Sequence, residues 1–274
     1  MTQTESMQAA VPGVRDQPLL SLRGVSKAFG AVQALADVDI DVYPGEVVAL
    51  LGDNGAGKST LVKILSGVHP PDAGTITFRG DPVTIGSPVA ARELGIATVY
   101  QDLALCDNLD VVANLFLGHE QTRFMLSEEA MEQQASSLLQ QLSAKLPSLR
   151  SPVAGLSGGQ RQTVAIARSL VGSPAVVILD EPTAALGVAQ TAEVLNLIER
   201  LREREHGVLL ITHNMVDVQE VADRAVVLRL GRNNGMFDLK QASHEQIVAA
   251  ITGATTSAVT RRAAAKANKV GEVE

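Results

Sequence analysis

The sequence has no tryptophan, aromatic side chains make up only 3% of its 274 residues, and its uninterrupted apolar runs are short. The longest, such as Val47–Leu51, hold about five residues, whereas a membrane-spanning helix needs about 20. Residues 1–18 contain no charged segment followed by an apolar one, so we expect no secretory signal. Because 46% of the residues are apolar, the sequence predicts a sizeable aliphatic core without a membrane span.

The chain has a single cysteine, Cys106, and a formal net charge of −7. One cysteine excludes an intramolecular disulfide and fits a reducing compartment such as the cytosol. Its thiol is either a small buried hydrophobic group or a reactive one. The acidic balance argues against broad binding to nucleic acid, which needs a basic face. Residues 261–269 are locally basic, which fits a solvated tail or a contact with a membrane surface or a partner.

Seven short apolar runs predict β-strands. The four later runs are continuously apolar rather than alternating, which is typical of strands covered on both faces in a parallel sheet. The predicted strands are residues 19–22, 38–42, 75–78, 96–100, 175–179, 208–211 and 225–228.

Helical periodicity fills several of the stretches between these strands. Ser127 can cap a helix that carries Glu128 and Glu129 in its first turn. A second helix is predicted over 188–203, and a closing helix over 239–251. The side chains predicted to face inward are Met131, Ala135, Leu138, Leu139 and Leu142 on the first helix, and Val194, Leu197, Ile198 and Leu201 on the second.

From about residue 103 to residue 171 the pattern is helix and loop with no strong strand. This predicts a helical lobe inserted into the strand-rich core. Core and lobe together form one domain over residues 19–253, and flexible tails are expected at 1–18 and 254–274.

The segment after Val47–Leu51 has the composition of a phosphate-binding loop. It stands between a strand pattern and a helical pattern, which is the context that this chemistry needs. Its glycines allow positive φ and a close approach to a ligand, and the turn directs amide N–H groups toward a polyphosphate. Lys58 would reach the β- and γ-phosphates, and the Ser59 hydroxyl would bind Mg²⁺. The alternative is a tight strand-to-helix turn. The segment consists of Gly52, Asp53, Asn54, Gly55, Ala56, Gly57, Lys58 and Ser59.

The strand pattern at 175–179 is followed by two carboxylates, Asp180 and Glu181. Asp180 is thereby placed at the carboxyl end of a strand, where ligands sit in open α/β sheets. Asp180 would hold Mg²⁺, mostly through water, and Glu181 would orient or deprotonate an attacking water. The alternative is a pair of solvated acids at a strand end.

Three further segments fit the same chemistry. The turn that begins at Ser157 places two glycines at a helix N-terminus, which makes either a second anion site or a loop with a serine cap. Gln101 follows a strand, where its amide can meet Mg²⁺ or water, or can be an ordinary polar residue. His213 also follows a strand, and it either donates a hydrogen bond to a γ-phosphate or has a structural role.

With these segments in this order, the chain resembles the ATP-binding cassette ATPase family over about residues 19–252. The resemblance implies a P-loop NTPase core of class α/β with a mixed, mostly parallel sheet, an N-terminal antiparallel β region and an inserted helical lobe. Residues 156–160 match the family's signature motif, and Phe29 stands where the family places an aromatic that stacks on adenine. The implied nucleotide-binding residues are Phe29, Gly52, Asp53, Asn54, Gly55, Ala56, Gly57, Lys58, Ser59, Thr60, Ser157, Gly158, Gly159 and Gln160. The implied Mg²⁺ ligands are Ser59, Gln101 and Asp180, and the implied catalytic residues are Glu181, His213 and Gln101.

The resemblance also implies a mechanism in which two cassettes meet head to tail. Each ATP lies between the phosphate loop of one subunit and the signature turn of the other, and a membrane permease responds to closing and opening. The family usually has Ser-Ala-Leu-Asp after the two carboxylates, whereas this chain has Gly187 at the aspartate position. This departure predicts an altered hydrolysis rate or altered coupling between the sites, while the intact Glu181 predicts hydrolysis.

Residues 52–60, 99–105, 114–118 and 181–188 resemble the ATPases of bacterial importers of ribose, xylose and fructose. The implied partners are a second copy or a paralogous ATPase, an integral membrane permease and an extracytoplasmic sugar-binding protein, at the cytoplasmic face of the cell membrane and without nucleic acid. Two other interpretations stay open: a soluble cassette ATPase that acts on ribosomes or DNA, and a nucleotide-gated regulatory module with little turnover.

Overall fold

The computed structural model describes residues 17–118 and 127–254. The expected tails at 1–18 and 254–274 therefore lie almost wholly outside the described residues, as does the basic stretch at 261–269. In chain order the elements are β1 (Leu20–Phe29), β2 (Val32–Val42), β3 (Val47–Leu51), α1 (Lys58–Leu65), β4 (Ala73–Phe78), β5 (Asp81–Val83), α2 (Pro88–Leu94), β6 (Ile96–Val99), α3 (Val111–Phe116), α4 (Glu128–Gln141), a 3-10 turn (Val153–Gly155), α5 (Gly158–Ser169), β7 (Val176–Asp180), α6 (Val188–Glu203), β8 (Gly207–Ile211), α7 (Met215–Val221), β9 (Arg224–Arg229), β10 (Arg232–Asp238) and α8 (His244–Thr252).

A six-stranded sheet of order β10-β9-β3-β8-β7-β6 forms the centre of the fold. β9, β3, β8, β7 and β6 pair in parallel, and β10 adds an antiparallel strand at the edge next to β9. All five residues of β3 and all five of β8 are buried. The parallel sheet predicted from the continuous apolar runs is thereby confirmed.

Both faces of this sheet are covered, because alternate side chains of a strand point to opposite faces. In β7, Val177 and Leu179 pack into the core shared with α3, α4, α5 and α6. Val176 and Ile178 pack on the opposite side, with α1 and the second sheet. A third, smaller core packs α8 against β3 and β9. The strands must therefore be apolar at every position.

The second sheet has the order β2-β1-β4-β5, and each of its neighbouring pairs is antiparallel. It confirms the antiparallel N-terminal region. β1 runs on to Phe29, well beyond the predicted end at residue 22. The pairing shifts register near Gly24, whose φ is 63°. The residues after this irregularity include polar side chains, so the second half of the strand has no continuous apolar run that would predict it. β5 and β10 were also not predicted, because neither contains a continuous apolar run.

The helices largely follow the predicted periodicity. α6 has the predicted bounds, and its four inward positions are all buried. Met131, Ala135 and Leu139 are the buried face of α4, Leu142 is buried just beyond its end, and Leu138 is half-buried. Residues 103–118 and 127–171 contain α3, α4 and α5 and one isolated bridge, between Asp110 and Pro152, but no strand.

Three expectations were wrong in detail. Ser127 precedes α4, but its side chain makes no capping hydrogen bond, so the acidic first turn alone faces the helix dipole. The closing helix begins at His244 rather than at residue 239. Asp238 accepts a hydrogen bond from the amide of Lys240 and holds a turn, and Ser243 provides the cap. Cys106 is half-buried rather than buried.

In the described part of the chain, no helix has both the length and the apolar content to cross a bilayer.

The environment of His206, between α6 and β8, predicts that the stability of the fold depends on pH. Its Nδ1 donates a hydrogen bond to the carbonyl oxygen of Pro174 at 2.8 Å. Burial lowers the pKa of His206 from its ordinary value of 6.5; the hydrogen bond to Pro174 opposes this, and the charge of Arg204 adds to it. Below about pH 6.5 the unfolded chain therefore binds this proton more readily than the folded chain, and stability is lost as the pH falls toward the folded-state pKa.

We expect His206→Asn, which keeps a donor toward Pro174 but cannot titrate, to flatten the decline of Tm between about pH 7 and pH 5. Differential scanning calorimetry across this range measures the effect. His244→Asn, at an exposed histidine, is the matched control and should keep the wild-type slope. Equal slopes in the His206 variant and the wild type would contradict the prediction.

Candidate functional site

Four neighbouring parallel strands end side by side, and a candidate site residue stands at the end of each. In the order β3-β8-β7-β6, these strands lead into the phosphate loop, His213, Asp180 with Glu181, and Gln101. Carboxyl ends of adjacent parallel strands share one edge of a sheet, where ligands bind in open α/β folds. Segments that are far apart in sequence thus meet along one edge.

The phosphate loop needs glycine at 52, 55 and 57 for different reasons. All three have positive φ, of 152°, 78° and 106°. A Cβ on Gly52 would stand 2.4 Å from the carbonyl oxygen of Leu228, and one on Gly57 would stand 2.6 Å from Leu35 Cδ2. A Cβ on Gly55 would meet nothing within 4 Å. Gly52 and Gly57 are therefore fixed by close packing as well as by conformation, whereas Gly55 is fixed by conformation alone.

The loop presents positive charge and amide dipoles toward solvent. Lys58 Nζ donates to the carbonyl oxygens of Gly52 at 2.6 Å and Asp53 at 3.2 Å, which folds the ammonium group over the loop. α1 begins after Gly57 with no side-chain cap and no acidic residue in its first turn. Side chains cap α2, α3, α5, α7 and α8, whereas α4 and α6 have no side-chain cap, like α1. An uncapped N-terminus leaves backbone donors for an anionic ligand.

Asp180 is the half-buried last residue of β7. Burial raises the pKa of its carboxyl group, the charge of Glu181 raises it further, and the charge of Lys58 lowers it. A bound cation beside this carboxylate would favour its charged form in the same way.

Glu181 has a strained backbone and a fixed carboxylate. Its φ is 50°, and its amide donates to the carbonyl oxygen of Ile211 at 2.8 Å. Both carboxylate oxygens lie 2.9 Å from His213 Nδ1. The Glu181 side chain is only 16% exposed, while that of His213 is 75% exposed. Glu181 is one of nine non-glycine residues with positive φ in the described part of the chain, and its contacts with Ile211 and His213 hold it in this conformation.

The contact with Glu181 restricts what His213 can do. A carboxylate only accepts, so Nδ1 of His213 must carry the hydrogen that it donates. In the neutral ring, Nε2 is then an acceptor, and only the imidazolium form donates from both nitrogens. The predicted hydrogen bond from His213 to a γ-phosphate therefore requires either the charged ring or a change of partner.

The turn that starts at Ser157 is a capping box. The amide of Ser157 donates to Gln160 Oε1 at 3.0 Å, and the amide of Gln160 donates to Ser157 Oγ at 3.3 Å. The serine cap, one of the two alternatives for this turn, is thus present. In the described parts of the chain, no hydrogen bond joins residues 157–160 to residues 52–60. Within one chain, the two glycine-rich turns are separate features.

The two glycines of this turn make room for the start of α6. A Cβ on Gly158 would stand 3.0 Å from Leu186 Cδ2, and one on Gly159 would stand 3.0 Å from Gln190 Cβ. Gln190 also accepts a hydrogen bond from the amide of Gly187, at 3.3 Å. The turn at 157–160 therefore packs against the segment that contains Gly187, where the family usually has an aspartate. Sequence reasoning attributed the glycines to ligand binding and missed this packing.

Two arginines of α5 hold the loop that follows Gln101. Arg168 donates to the carbonyl oxygens of Leu103 at 2.6 Å and Ala104 at 2.8 Å, and burial lowers its pKa. Arg161 forms an ion pair with Asp107. Sequence reasoning missed both contacts, because arginines in an amphipathic helix are ordinarily solvated. Gln101 itself is exposed, beside this loop.

Phe29 ends β1 with 44% of its surface exposed. Its ring makes an edge-to-face contact with His69, with centroids 5.3 Å apart, and Lys27 Nζ lies 5.7 Å from its centroid. An exposed ring held by neighbours has a surface on which a flat base can stack. Sequence reasoning missed His69, because the residue is distant in the chain and has no local signature.

Ser59, Gln101 and Asp180 fit Mg²⁺ as a donor set. All three offer oxygen atoms, which this hard cation prefers, and Mg²⁺ usually takes few protein ligands together with phosphates and waters. In residues 17–118 and 127–254, no group of three or more acidic, histidine or cysteine side chains forms a metal cage of its own.

Comparison with known proteins gives close relatives. A family model described as ABC transporter matches residues 35–184. The xylose/arabinose import ATP-binding protein of Sulfolobus acidocaldarius is 49% identical, over 78% of this chain and 86% of that protein. The fructose import ATP-binding protein of Rhizobium meliloti is 45% identical, over 87% of this chain and 95% of that protein. A ribose import ATP-binding protein of Rubrobacter xylanophilus is 43% identical over 86% of this chain, and the match spans 47% of that protein.

Solved structures give the same fold. A nucleotide-free ATP-binding cassette from an ABC transporter superposes with a TM-score of 0.76 at 25% identity, covering 86% of this chain and 95% of that one. A dimeric cassette in a post-hydrolysis state, bound to ADP and phosphate, has a TM-score of 0.68 at 25% identity, covering 80% of this chain and 98% of that one. The predicted fold class is confirmed.

Proposed function

Since this chain belongs to the ABC transporter family, we propose that it is the ATP-hydrolysing subunit of a monosaccharide importer. One observation carries this proposal: the phosphate loop, His213, Asp180 with Glu181, and Gln101 stand at the ends of four adjacent parallel strands. The relatives named above are import ATP-binding proteins for pentoses and fructose, which supports a sugar as the transported substrate.

In this proposal the phosphate loop holds the triphosphate of ATP. The amides at the start of α1 and the Lys58 ammonium bind phosphate oxygens, Thr60 lies beside the α-phosphate, and the exposed ring of Phe29 stacks on the adenine. The nucleotide-binding set is completed by the residues of the turn at 157–160 from a second copy. Ser59, Gln101 and Asp180 would hold Mg²⁺, which supplies positive charge next to the phosphate oxygens.

Glu181 is the general base of the proposed reaction. Its carboxylate accepts a proton from water as the water oxygen attacks the γ-phosphorus, and the bond from that phosphorus to the bridging oxygen of ADP breaks. His213 holds the carboxylate from one side. Because the Glu181 side chain is only 16% exposed, few waters compete with the attacking one for its oxygens.

The proposed working unit is a dimer of two such chains, or of this chain with a paralogous ATPase. The turn at 157–160 makes no hydrogen bond to the phosphate loop of its own chain, so it is free to complete a site across a two-fold axis. The dimeric relative, which is bound to ADP and phosphate, supports this arrangement. Gly187 lies against the same turn, which fits a change in coupling between the two sites.

A groove between the central sheet and α5 is the proposed contact with a permease. Its volume is about 280 Å³, and Tyr100, Leu103, Leu117 and Arg168 are among its lining residues. Tyr100 is 39% exposed and Leu117 is 45% exposed, so apolar surface is open to a partner. The groove adjoins Gln101, and a permease seated there would bring the chain to the cytoplasmic face of the membrane. An extracytoplasmic sugar-binding protein would complete the importer.

The test is co-purification followed by transport. We expect the tagged chain to co-purify from membranes with an integral membrane protein. The pair, reconstituted in vesicles with an extracytoplasmic binding protein, should take up labelled xylose, fructose or ribose only when ATP is supplied on the side of the ATPase. ATPase activity that co-purifies with ribosomes or DNA would contradict the proposal, and so would ATP binding without turnover, which is the behaviour of a regulatory module.

A further inference from the structure

A buried carboxylate, Asp217, joins the two segments that carry Glu181 and His213. Asp217 lies in the first turn of α7 and is 2% exposed. It accepts hydrogen bonds from Thr183 Oγ1 at 2.5 Å and from Asn214 Nδ2 at 2.9 Å. Thr183 follows Glu181 by two residues, and Asn214 directly follows His213.

A carboxylate at this place has a cost that packing alone does not explain. Burial of a charged group is unfavourable unless partners compensate, and Asp217 has two neutral donors and the positive end of the α7 dipole. An apolar side chain on the same helix face would fill the space without that desolvation. Besides stabilising the start of α7, the acid joins the segment of Thr183 to the segment of Asn214.

We propose that Asp217 is a positioning residue for ATP hydrolysis, which holds the carboxylate of Glu181 against the imidazole of His213. This inference rests on the function proposed above. Glu181 is then fixed from both sides: its own amide is bonded to Ile211 at the end of β8, and Thr183 is tied to α7. Both ties hold the backbone at Glu181, whose φ of 50° lies in the left-handed region.

Asn214 has only one orientation in this network. Its Oδ1 accepts from the amide of Val216 at 3.0 Å and caps α7, so its Nδ2 must face Asp217. An asparagine at 217 would keep an acceptor for Thr183 but would turn its own NH₂ group toward that of Asn214. Two donors would then face each other, and the segment with His213 would move away from the segment with Glu181.

The test measures ATP hydrolysis by Asp217→Asn and by the exchanged pair Asp217→Asn with Asn214→Asp. We expect the single variant to lower kcat roughly 10- to 100-fold, because small misplacements of catalytic groups have effects of this size, and to leave the KM for ATP within about twofold. The exchange restores one donor for every acceptor, so it should recover most of the lost kcat. Glu46→Gln, at a buried acid on the opposite edge of the sheet, is the control and should keep the wild-type kcat at a temperature where it is folded.

A second readout does not depend on turnover. In crystals of Asp217→Asn without nucleotide, the contact between Glu181 and His213, 2.9 Å in the wild type, should lengthen beyond hydrogen-bond distance, and it should shorten again in the exchanged pair. An unchanged contact in the single variant would overturn the inference, and so would a wild-type kcat. If the wild type itself did not hydrolyse ATP, the proposed function would fail, while the crystallographic distance would still decide the role of Asp217.

Discussion

Replacing Glu181 with glutamine should lower the rate of ATP hydrolysis at least about 100-fold, because a positioned general base contributes a factor of roughly 10² to 10⁴. Glutamine has nearly the same shape and still offers an oxygen to His213 Nδ1, but it cannot take the proton of the attacking water. ATP binding should persist, since the side chain at 181 makes no hydrogen bond to the phosphate loop. We therefore expect the variant to accumulate as an ATP-bound dimer.

The rate of hydrolysis is measured by phosphate release, and the affinity for ATP is measured by titration calorimetry. Light scattering detects the ATP-bound dimer. Glu193→Gln is the matched control, because Glu193 is exposed on α6 and the same chemical change there should leave turnover unaltered. A wild-type rate in the Glu181 variant would remove Glu181 from the role of base. Another acid would then have to be sought at the same edge of the sheet.

Replacing Lys58 with alanine should weaken ATP binding about 10- to 100-fold. A charge-assisted hydrogen bond contributes roughly 1.5–3 kcal/mol, and each 1.4 kcal/mol is a factor of ten in Kd. Among the residues that the structure describes, the ammonium donates hydrogen bonds to the carbonyl oxygens of Gly52 and Asp53. The ammonium can exchange these neutral carbonyl oxygens for phosphate oxygens. Its hydrogen bonds to phosphate are stronger, because phosphate oxygens are negatively charged.

Lys63→Ala supplies the control for this change. Lys63 lies on the same helix but is exposed in its last turn, so its removal should leave the Kd for ATP unchanged. Both variants should stay folded, which thermal melting would verify. An unaltered Kd in the Lys58 variant would contradict the assignment of residues 52–59 as the phosphate site.

The parallel half of the fold could be predicted because its cause is visible in the sequence. A strand covered on both faces must be apolar at each position, and Val47–Leu51 satisfies this rule without exception. The order of the strands could not be predicted, because pairing depends on how the helices pack between them. β10 was missed since an edge strand whose sequence is Arg232-Asn-Asn-Gly-Met-Phe-Asp238 has no such run.

The site shows the same division between local and distant causes. The phosphate loop, Asp180 and Glu181 have local signatures, since a strand must end where the ligand binds. The partners of these residues have none. In the sequence Asp217 is an ordinary acid in a short helix, and only the fold places Thr183 Oγ1 2.5 Å from its carboxylate. Likewise, the packing of Gly158 and Gly159 depends on the position of α6, which the sequence does not show.

The hydrogen bonds from Arg168 to Leu103 and Ala104 connect α5 to the loop that follows Gln101, so α5 can transmit a displacement of this loop. Arg168 is in the last turn of the helix and Ser157 stands at its beginning, about 16 Å away along the helix axis. A partner that displaces the loop at Leu103 and Ala104 would pull on the C-terminal end of α5 through the hydrogen bonds of Arg168. A pull at that end would be passed through the hydrogen-bonded turns of the helix to Ser157 at its other end.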